Sequence, residues 1–385
     1  MSALFRLAIL AAVVLGCSDS PRAPEASSAP VPPSGMPSLE RRSLALADAD
    51  VAETYYWAMG VSEVGNIVFL ASAKERPMFR VVDSTGRRLA AFGRQGDGPG
   101  EFRQPLTLEV RGDSLLIHDS GRMTSLLYTW GGRSIGESQA PVFDIPLAWI
   151  GDSMDHWQPP GLGTTLPGRS VIRRTQVGDT GGRVLIAAQD SGFQVVLAST
   201  PGGKPLSRLP YAVGPDRIYL ADAYRYRIYS YDSTGHLIAT FGRQLPPHRM
   251  GPRQLAQQRE SILRQPKYMR GPKGEAIALP DRRGRLDTLD REITPHFNRA
   301  PLHVDAYGRL WVVGVTNDST TVDVFVDTTF LGRVVLPCYL FRVGNPVALT
   351  GHWLLLECEL PEAADLATEL QLYRIVEGKS AVVRP

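Results

Sequence analysis

A turn signal followed at once by a short run of apolar and β-branched residues occurs six times along the chain. In each case Gly, often with Asn, Asp or Pro after it, stands before residues that are mainly Ile, Leu, Val, Tyr, Phe or Trp. This is the pattern of a strand that leaves a tight turn, where Gly supplies the positive φ. The six instances begin at Gly65, Gly112, Gly182, Gly214, Gly308 and Gly351.

Further strands surround most of these turns. A second apolar run follows, as in Met78 to Val82, and a polar turn then leads to a third run such as Leu89 to Phe92. With an entering strand such as Leu106 to Val110, each unit has four short antiparallel strands in about 50 residues, which is typical of a propeller blade. The sequence therefore predicts an all-β fold, a six-bladed β-propeller with four-stranded antiparallel blades.

Two identical tetrapeptides support a repeat. Asp83-Ser84-Thr85-Gly86 recurs as residues 232–235, and Phe92-Gly93-Arg94-Gln95 recurs as residues 241–244, both after 149 positions. At about 50 residues per blade this offset is three blades, or half a turn about the channel.

The stretch Phe92 to Phe102 resembles the signature of NHL repeats, as does Ile218 to Asp222 with Arg227 and Ile228 after it. The resemblance implies a six-bladed propeller of the NHL-like kind. Propellers of this kind include amidating lyases, streptogramin lyases and calcium-dependent lactonases, which work from the face that bears the channel mouth.

Two segments do not fit the repeat. Phe143 to Gly181 is rich in Gly and Pro, and we expect a long hairpin or loop within blade three. Residues 246–300 predict an insertion between blades four and five, with a short helix over Arg253 to Arg264. The outer strand of the last blade comes either from Arg42 to Leu46 or from Ala381 to Val383, and the sequence does not choose between them.

The first 17 residues have the form of an export signal. The apolar run Leu7 to Leu15 has nine residues, against about 20 for a membrane-spanning helix. Val14-Leu15-Gly16-Cys17 resembles the bacterial lipobox, which implies lipidation at Cys17; the alternative is an ordinary secretory signal with an incidental cysteine. Residues 18–38, mainly Pro, Ser and Ala, predict a flexible linker, and 39–385 the propeller. We expect an exported, membrane-anchored protein, at the outer membrane or periplasmic side if the source has two membranes.

Cysteine content and charge add little more. After export, Cys338 and Cys358 could form a disulfide or remain two buried thiols. The formal net charge is +3, but eight Lys or Arg and one acid lie between Arg243 and Lys273. This segment is either a solvated loop and helix face or a surface for an anionic partner, and we expect no nucleic acid.

Arg94 and Arg243 are the candidate ligand-binding residues because they follow the outer strands of blades half a turn apart. We expect them on opposite rims of one face, where two guanidinium groups would favour an anionic or carboxylate-bearing ligand. The alternative is that they cap loops or pair with neighbours such as Glu101. The remaining candidates are two neutral donors and two carboxylates that in NHL-like propellers mostly fix loops: Gln95, Gln244, Asp119 and Asp222.

No catalytic residue is predicted. Gly132-Arg133-Ser134-Ile135-Gly136 has the spacing of a nucleophile elbow, but no helix follows it. No cofactor is predicted, and a divalent metal in the channel is left open. The leading hypothesis is a membrane-tethered, monomeric binding protein or scaffold in the cell envelope, with a protein, peptide or glycan as its partner. The alternative is a propeller enzyme, either a metal-dependent lyase or a lactonase-like hydrolase.

Overall fold

The computed structural model describes most of the chain after the linker. The described residues are 35–47, 58–71, 77–139, 145–150, 153–158, 171–176, 182–187, 190–198, 209–266, 268–270, 275–278, 282–316, 319–340, 347–359 and 368–377. No helix among them is long and apolar enough to cross a membrane.

Six four-stranded antiparallel sheets form the blades of a six-bladed β-propeller. The first strand of the described chain is β1 (Ser38–Arg42), which belongs to the last blade. Blade one has β2 (Met59–Val61), β3 (Ile67–Leu70), β4 (Phe79–Val82) and β5 (Arg88–Phe92), and the connection after it has β6 (Arg94–Gln95) and β7 (Glu101–Phe102). Blade two has β8 (Pro105–Arg111), β9 (Ser114–Asp119), β10 (Thr124–Thr129) and β11 (Ser134–Gln139). Blade three has β12 (Ile145–Ile150), β13 (Ser153–Gln158), β14 (Val171–Gln176) and β15 (Arg183–Ala187).

The second half of the ring repeats this arrangement. The helix α1 (Ser191–Ala198) precedes blade four, which has β16 (Tyr211–Val213), β17 (Arg217–Asp222), β18 (Arg227–Asp232) and β19 (Leu237–Gly242). The insertion has α2 (Pro252–Arg264), β20 (Tyr268–Arg270), β21 (Ala276–Ala278), α3 (Arg282–Thr288) and a 3-10 turn at Leu289–Arg291. Blade five has β22 (Phe297–Val304), β23 (Leu310–Thr316), β24 (Ser319–Val326) and β25 (Thr329–Leu336). Blade six has β26 (Val347–Leu349), β27 (Trp353–Glu359) and β28 (Thr368–Val376), completed by β1.

Burial explains why the second strand of a blade gives the clearest sequence signal. All four residues of β3 are buried, whereas three of the five residues of β5 are exposed. A strand covered by neighbouring blades on both faces is a continuous apolar run, and an outer strand is not.

Aromatic side chains join blades one and two. Phe92, from the repeated Phe-Gly-Arg-Gln sequence, stacks on Phe79 with ring centres 5.2 Å apart and on Tyr128 at 4.9 Å. Phe102 packs on Phe79 at 5.2 Å. The Phe of the repeated sequence thus anchors the end of the outer strand in the core between two blades.

The start of the chain closes the ring. β1 pairs antiparallel with β28, from Ser38 opposite Val376 to Arg42 opposite Leu372. The outer strand therefore begins at the last residue that we assigned to the linker, slightly before the predicted Arg42 to Leu46. The alternative strand, Ala381 to Val383, lies outside the described residues.

In blade three, the prediction that Gly182 precedes the second strand is wrong. The turn at Gly182 precedes the outermost strand, β15, and not the second strand of the blade. The segment from Phe143 to Gly181, predicted as a hairpin or loop, contains the other three strands. Outer strands also follow tight turns, and Gly182 has φ 62°, so the local pattern cannot tell the two positions apart.

Candidate functional site

The innermost strands of all six blades surround a central cavity of about 770 Å³. Each blade contributes an apolar or aromatic residue to its wall, and these are Met59, Leu108, Leu147, Tyr211, Leu302 and Val347. A concave, mostly apolar cavity with a few polar groups is the usual form of a small-molecule site. The cavity is the candidate functional site.

The cavity extends to one particular face of the ring. Its wall includes the turns between the first and second strands of blades one, two, five and six, at residues 62–66, 112–113, 305–306 and 350–351. We call this the A–B face. The connections from each outer strand to the next blade lie on the opposite face, which we call the D–A face.

Carboxylates stand near the mouth of the cavity. Four acidic side chains line it, Glu63, Glu109, Asp113 and Asp305, and no Lys or Arg is among its described lining residues. Asp305 is already paired, because it accepts hydrogen bonds from Arg309 Nε at 2.6 Å and Trp311 Nε1 at 2.8 Å. Apolar walls with an acidic mouth suit a neutral or cationic ligand better than an anionic one.

Glu63 also joins blade six to blade one at the mouth. Its carboxylate accepts a hydrogen bond from the backbone N–H of Gly351 at 3.2 Å, and its backbone carbonyl accepts one from Trp353 Nε1 at 3.2 Å. The rim is therefore held in a fixed geometry at the point where the ring closes.

The candidate arginines lie on the other face. Arg94 and Arg243 each follow an outer strand, which places them on the D–A face, and neither lines the cavity. Arg94 is 62% exposed and forms an ion pair with Glu101 at 2.5 Å. Gln95 pairs with Phe102 in a two-residue parallel ladder.

Arg243 reaches into the next blade. Its Nη1 donates a hydrogen bond to Asp323 at 3.1 Å, and its guanidinium group lies 4.6 Å from the centre of the Phe330 ring. Gln244, the next residue, is exposed. Arg94 therefore fixes its own loop through Glu101, and Arg243 joins blade four to blade five through Asp323.

Asp119 and Asp222 are buried at the ends of the second strands of blades two and four. Asp119 accepts backbone hydrogen bonds from Arg103, Gln104 and Gly121 at 2.6 to 2.9 Å. Asp222 accepts backbone hydrogen bonds from Tyr224 at 3.0 Å and Arg225 at 3.2 Å. Burial raises the pKa of Asp222. Both carboxylates fix the loop beside them.

One buried cluster gives no signal in the sequence. Asp155 in blade three is fully buried and accepts hydrogen bonds from Arg174 Nε at 2.7 Å and Nη2 at 2.9 Å. The hydroxyl of Tyr211, from blade four, donates to the same carboxylate, and burial is the main reason why the pKa of Tyr211 is raised. The cluster ties two blades beside the channel wall.

Cys338 and Cys358 are joined by a disulfide in the structure. It links the connection after blade five to the end of β27. Cys17 lies outside the described residues. Within the described part of the chain, no group of three or more His, Cys, Asp or Glu side chains is placed to hold a metal ion.

The chain matches no protein-family model and no curated protein. Among solved structures, a Bacteroides fragilis protein named as exported shares 10% identity, with 89% of this chain and 96% of that chain covered and a TM-score of 0.50. A member of the DUF4221 family from Bacteroides vulgatus shares 9% identity, with 89% and 99% covered and the same TM-score. These likenesses support the propeller fold and nothing finer.

Proposed function

We propose that this protein is an exported lipoprotein whose propeller binds an envelope ligand in its central channel. The observation that carries the proposal is the cavity of about 770 Å³ that all six blades enclose. Its apolar wall would take the body of the ligand, and its carboxylates would meet a neutral polar or cationic group at the A–B face.

Three features support export and tethering. Residues 14–17 resemble a lipobox, and the linker before Ser38 could hold the propeller away from a membrane. The Cys338–Cys358 disulfide suits an oxidising compartment. One of the structurally similar proteins is named as exported.

The position of β1 relates the tether to the site. Ser38 pairs with Val376, close to Trp353 and the A–B turn of blade six. The linker therefore enters the fold at the edge of the A–B face, the face to which the cavity extends. A tethered propeller of this form could receive its ligand on the side from which the linker leaves.

A cationic aromatic dye such as rhodamine 6G tests the proposed site. We expect one saturable equivalent to bind, and a crystal structure of the complex to place the dye between the innermost strands. Asp113→Lys should weaken binding by roughly 3- to 10-fold, with a smaller effect at high salt, because it reverses a charge at the mouth.

Asp216→Lys is the matched control. Asp216 lies in the A–B turn of blade four and its side chain is 80% exposed, but it does not line the cavity. It should leave dye binding unchanged. Equal effects of the two substitutions, or a dye bound outside the channel, would contradict the proposal.

A further inference from the structure

Two histidines lie at the root of the insertion between blades four and five. His248 follows the outer strand of blade four, and His296 directly precedes β22 of blade five. The two arms are paired here, since the Thr294 N–H donates to the His248 carbonyl at 2.9 Å. The His296 N–H donates to the carbonyl of Ala223 in blade four at 2.8 Å. The backbone therefore holds both imidazoles close to each other.

The imidazole rings leave two buried nitrogen atoms facing no hydrogen-bond partner. The ring centres are 5.6 Å apart, and the Nε2 atoms of both residues are buried without a partner. Thr294 Oγ1 lies 2.8 Å from His248 Nδ1, which orients that ring. His296 is only 7% exposed. Buried polar atoms nearly always have a partner, so an orphaned pair indicates a missing one.

Burial favours the neutral form of both rings. Burial lowers the pKa of His248, and burial, with His248 and Arg333 nearby, lowers the pKa of His296 to about 4. The Tyr226 ring also lies beside His296, and the two ring centres are 5.9 Å apart. Arg333 is itself paired with Asp323. Neutral imidazole is the form that binds metal ions.

We propose that His248 and His296 bind one divalent transition-metal ion through their Nε2 atoms. Two imidazoles on one tetrahedral zinc, with Zn–N bonds of about 2.0–2.1 Å, have ring centres roughly 5–6 Å apart, which matches the observed spacing. Imidazole suits zinc, nickel and copper ions. No third His, Cys, Asp or Glu of the described chain completes a cluster, so water would fill the remaining positions.

A metal ion here would close the base of the insertion. It would join two residues on opposite arms of the insertion, His248 and His296, which are 48 positions apart in the sequence. Ordering a segment by a cross-link at its base favours the closed form over the open one. The site would thus be a structural metal site. It is separate from the channel and does not depend on the function proposed for the channel.

Titration of the chelator-treated mature protein with Zn²⁺ tests the proposal. We expect one equivalent to bind, and deuterium uptake by residues 249–295 to slow several-fold in its presence. His248→Gln and His296→Gln should each remove binding and the protection. His236→Gln is the control, because His236 lies in an exposed turn with its side chain 84% exposed.

A spectroscopic measurement keeps the test valid if the buried His296 variant folds poorly. The electron paramagnetic resonance spectrum of the Cu²⁺-loaded protein should show two coordinated imidazole nitrogens, and this spectrum should be lost after substitution of the half-buried His248. Absence of metal binding, or binding that survives both Gln substitutions, would overturn the proposal. So would binding that depends on His236.

Discussion

At the scale of single residues, buried carboxylates hold neighbouring blades together. Asp323 in blade five is 1% exposed and accepts hydrogen bonds from Arg333 Nε at 2.5 Å and Nη2 at 2.8 Å. Blade four contributes Arg243 and the hydroxyl of Tyr226 to the same carboxylate. Burial, and then the charge of Asp323, raise the pKa of Tyr226. This one carboxylate therefore neutralises charge from two blades.

Asp323→Asn should lower the free energy of unfolding by about 3 kcal/mol, because it leaves two half-buried guanidinium groups without their counter-ion. Urea unfolding followed by tryptophan fluorescence measures the change. Tyr226→Phe is the control, since it removes one hydrogen bond and should cost about 1 kcal/mol. An Asn variant as stable as the native protein would show that the carboxylate is not a structural tie.

Two other buried histidines give the propeller a dependence on pH. His118 and His156 are 5% and 1% exposed, and burial lowers the pKa of both. Burial and the neighbouring His118 lower the pKa of His156 to about 4, against about 6.5 in an unfolded chain. The unfolded state therefore binds more protons between these values, and stability falls as the pH falls.

We expect the urea midpoint to be constant above about pH 7 and to decrease from about pH 6.5 towards pH 4. His156 alone would account for up to about 3 kcal/mol, at 1.36 kcal/mol for each pKa unit. His156→Gln should flatten the profile in this range. A profile that is the same in the variant would show that other groups cause the loss.

The sequence predicted some of these residue roles and missed others. Asp119 and Asp222 occupy equivalent places in two blades, so a shared loop-fixing role could be anticipated. Arg94 and Arg243 also occupy equivalent places, but their partners differ, since one meets Glu101 in its own loop and the other a carboxylate of the next blade. The contact between Tyr211 and Asp155 spans 56 positions, and only the assembled ring brings them together.

At the scale of elements, the disulfide fixes the place where the insertion meets blade six. Tyr339 and Glu359, which follow the two cysteines, form an isolated antiparallel bridge. Helix α2 contacts both, because Gln257 donates to Glu359 at 3.1 Å and the Arg253 guanidinium lies 4.3 Å from the Tyr339 ring centre. Helix α2, which follows blade four in the chain, thus packs on the cross-linked end of blade six.

Replacing Cys338 and Cys358 together by Ala should lower the free energy of unfolding by about 3 kcal/mol, the magnitude expected for a loop of this length, given the sequence separation of 20. Mass spectrometry of unreduced peptides tests the pairing itself. Two free thiols in the native protein would contradict it. Reductant should lower the stability of the native protein and leave the double variant unchanged.

In blade three, the local sequence pattern predicts that a strand is present but not which position that strand takes in the blade. Gly182 and the apolar run after it match the general rule, but the run is an outer strand. Turn chemistry identifies that a strand begins, whereas its position in the blade depends on the pairing of strands across the whole sheet. Helix α1 was not predicted, because its eight residues, with only two polar side chains, are too few to show a helical period.

At the scale of the whole molecule, the six turn signals predicted the correct number of blades. The offset of 149 positions joins equivalent strands of blades one and four, as the order of the sheets requires. Six similar units closing on themselves leave each blade packed between two others, so the repeated aromatic and apolar positions fall between blades. The insertion obeys no such periodicity, and only its helix could be predicted.

Cys17→Ser should release the protein from the membrane fraction and abolish labelling by a fatty-acid analogue. A single acyl chain binds membranes only marginally, and the several chains of a bacterial lipoprotein bind firmly. Fractionation and labelling of cells that express each form provide the measurement. Cys338→Ala in the same assay is the control and should keep the label. Unchanged labelling of the Ser variant would show that Cys17 is not the attachment site.

The pairing of β1 with β28 has a consequence for the order of folding. Of the described strands, β1 leaves the ribosome first and β28 leaves it last, and Ser38 stands opposite Val376 across nearly the entire domain. Contacts of such high sequence separation form slowly, because the chain must first search a large volume. Until then both edges of the unfinished ring stay open to other chains. The last blade is thus the step at which this protein is most exposed to aggregation during its maturation.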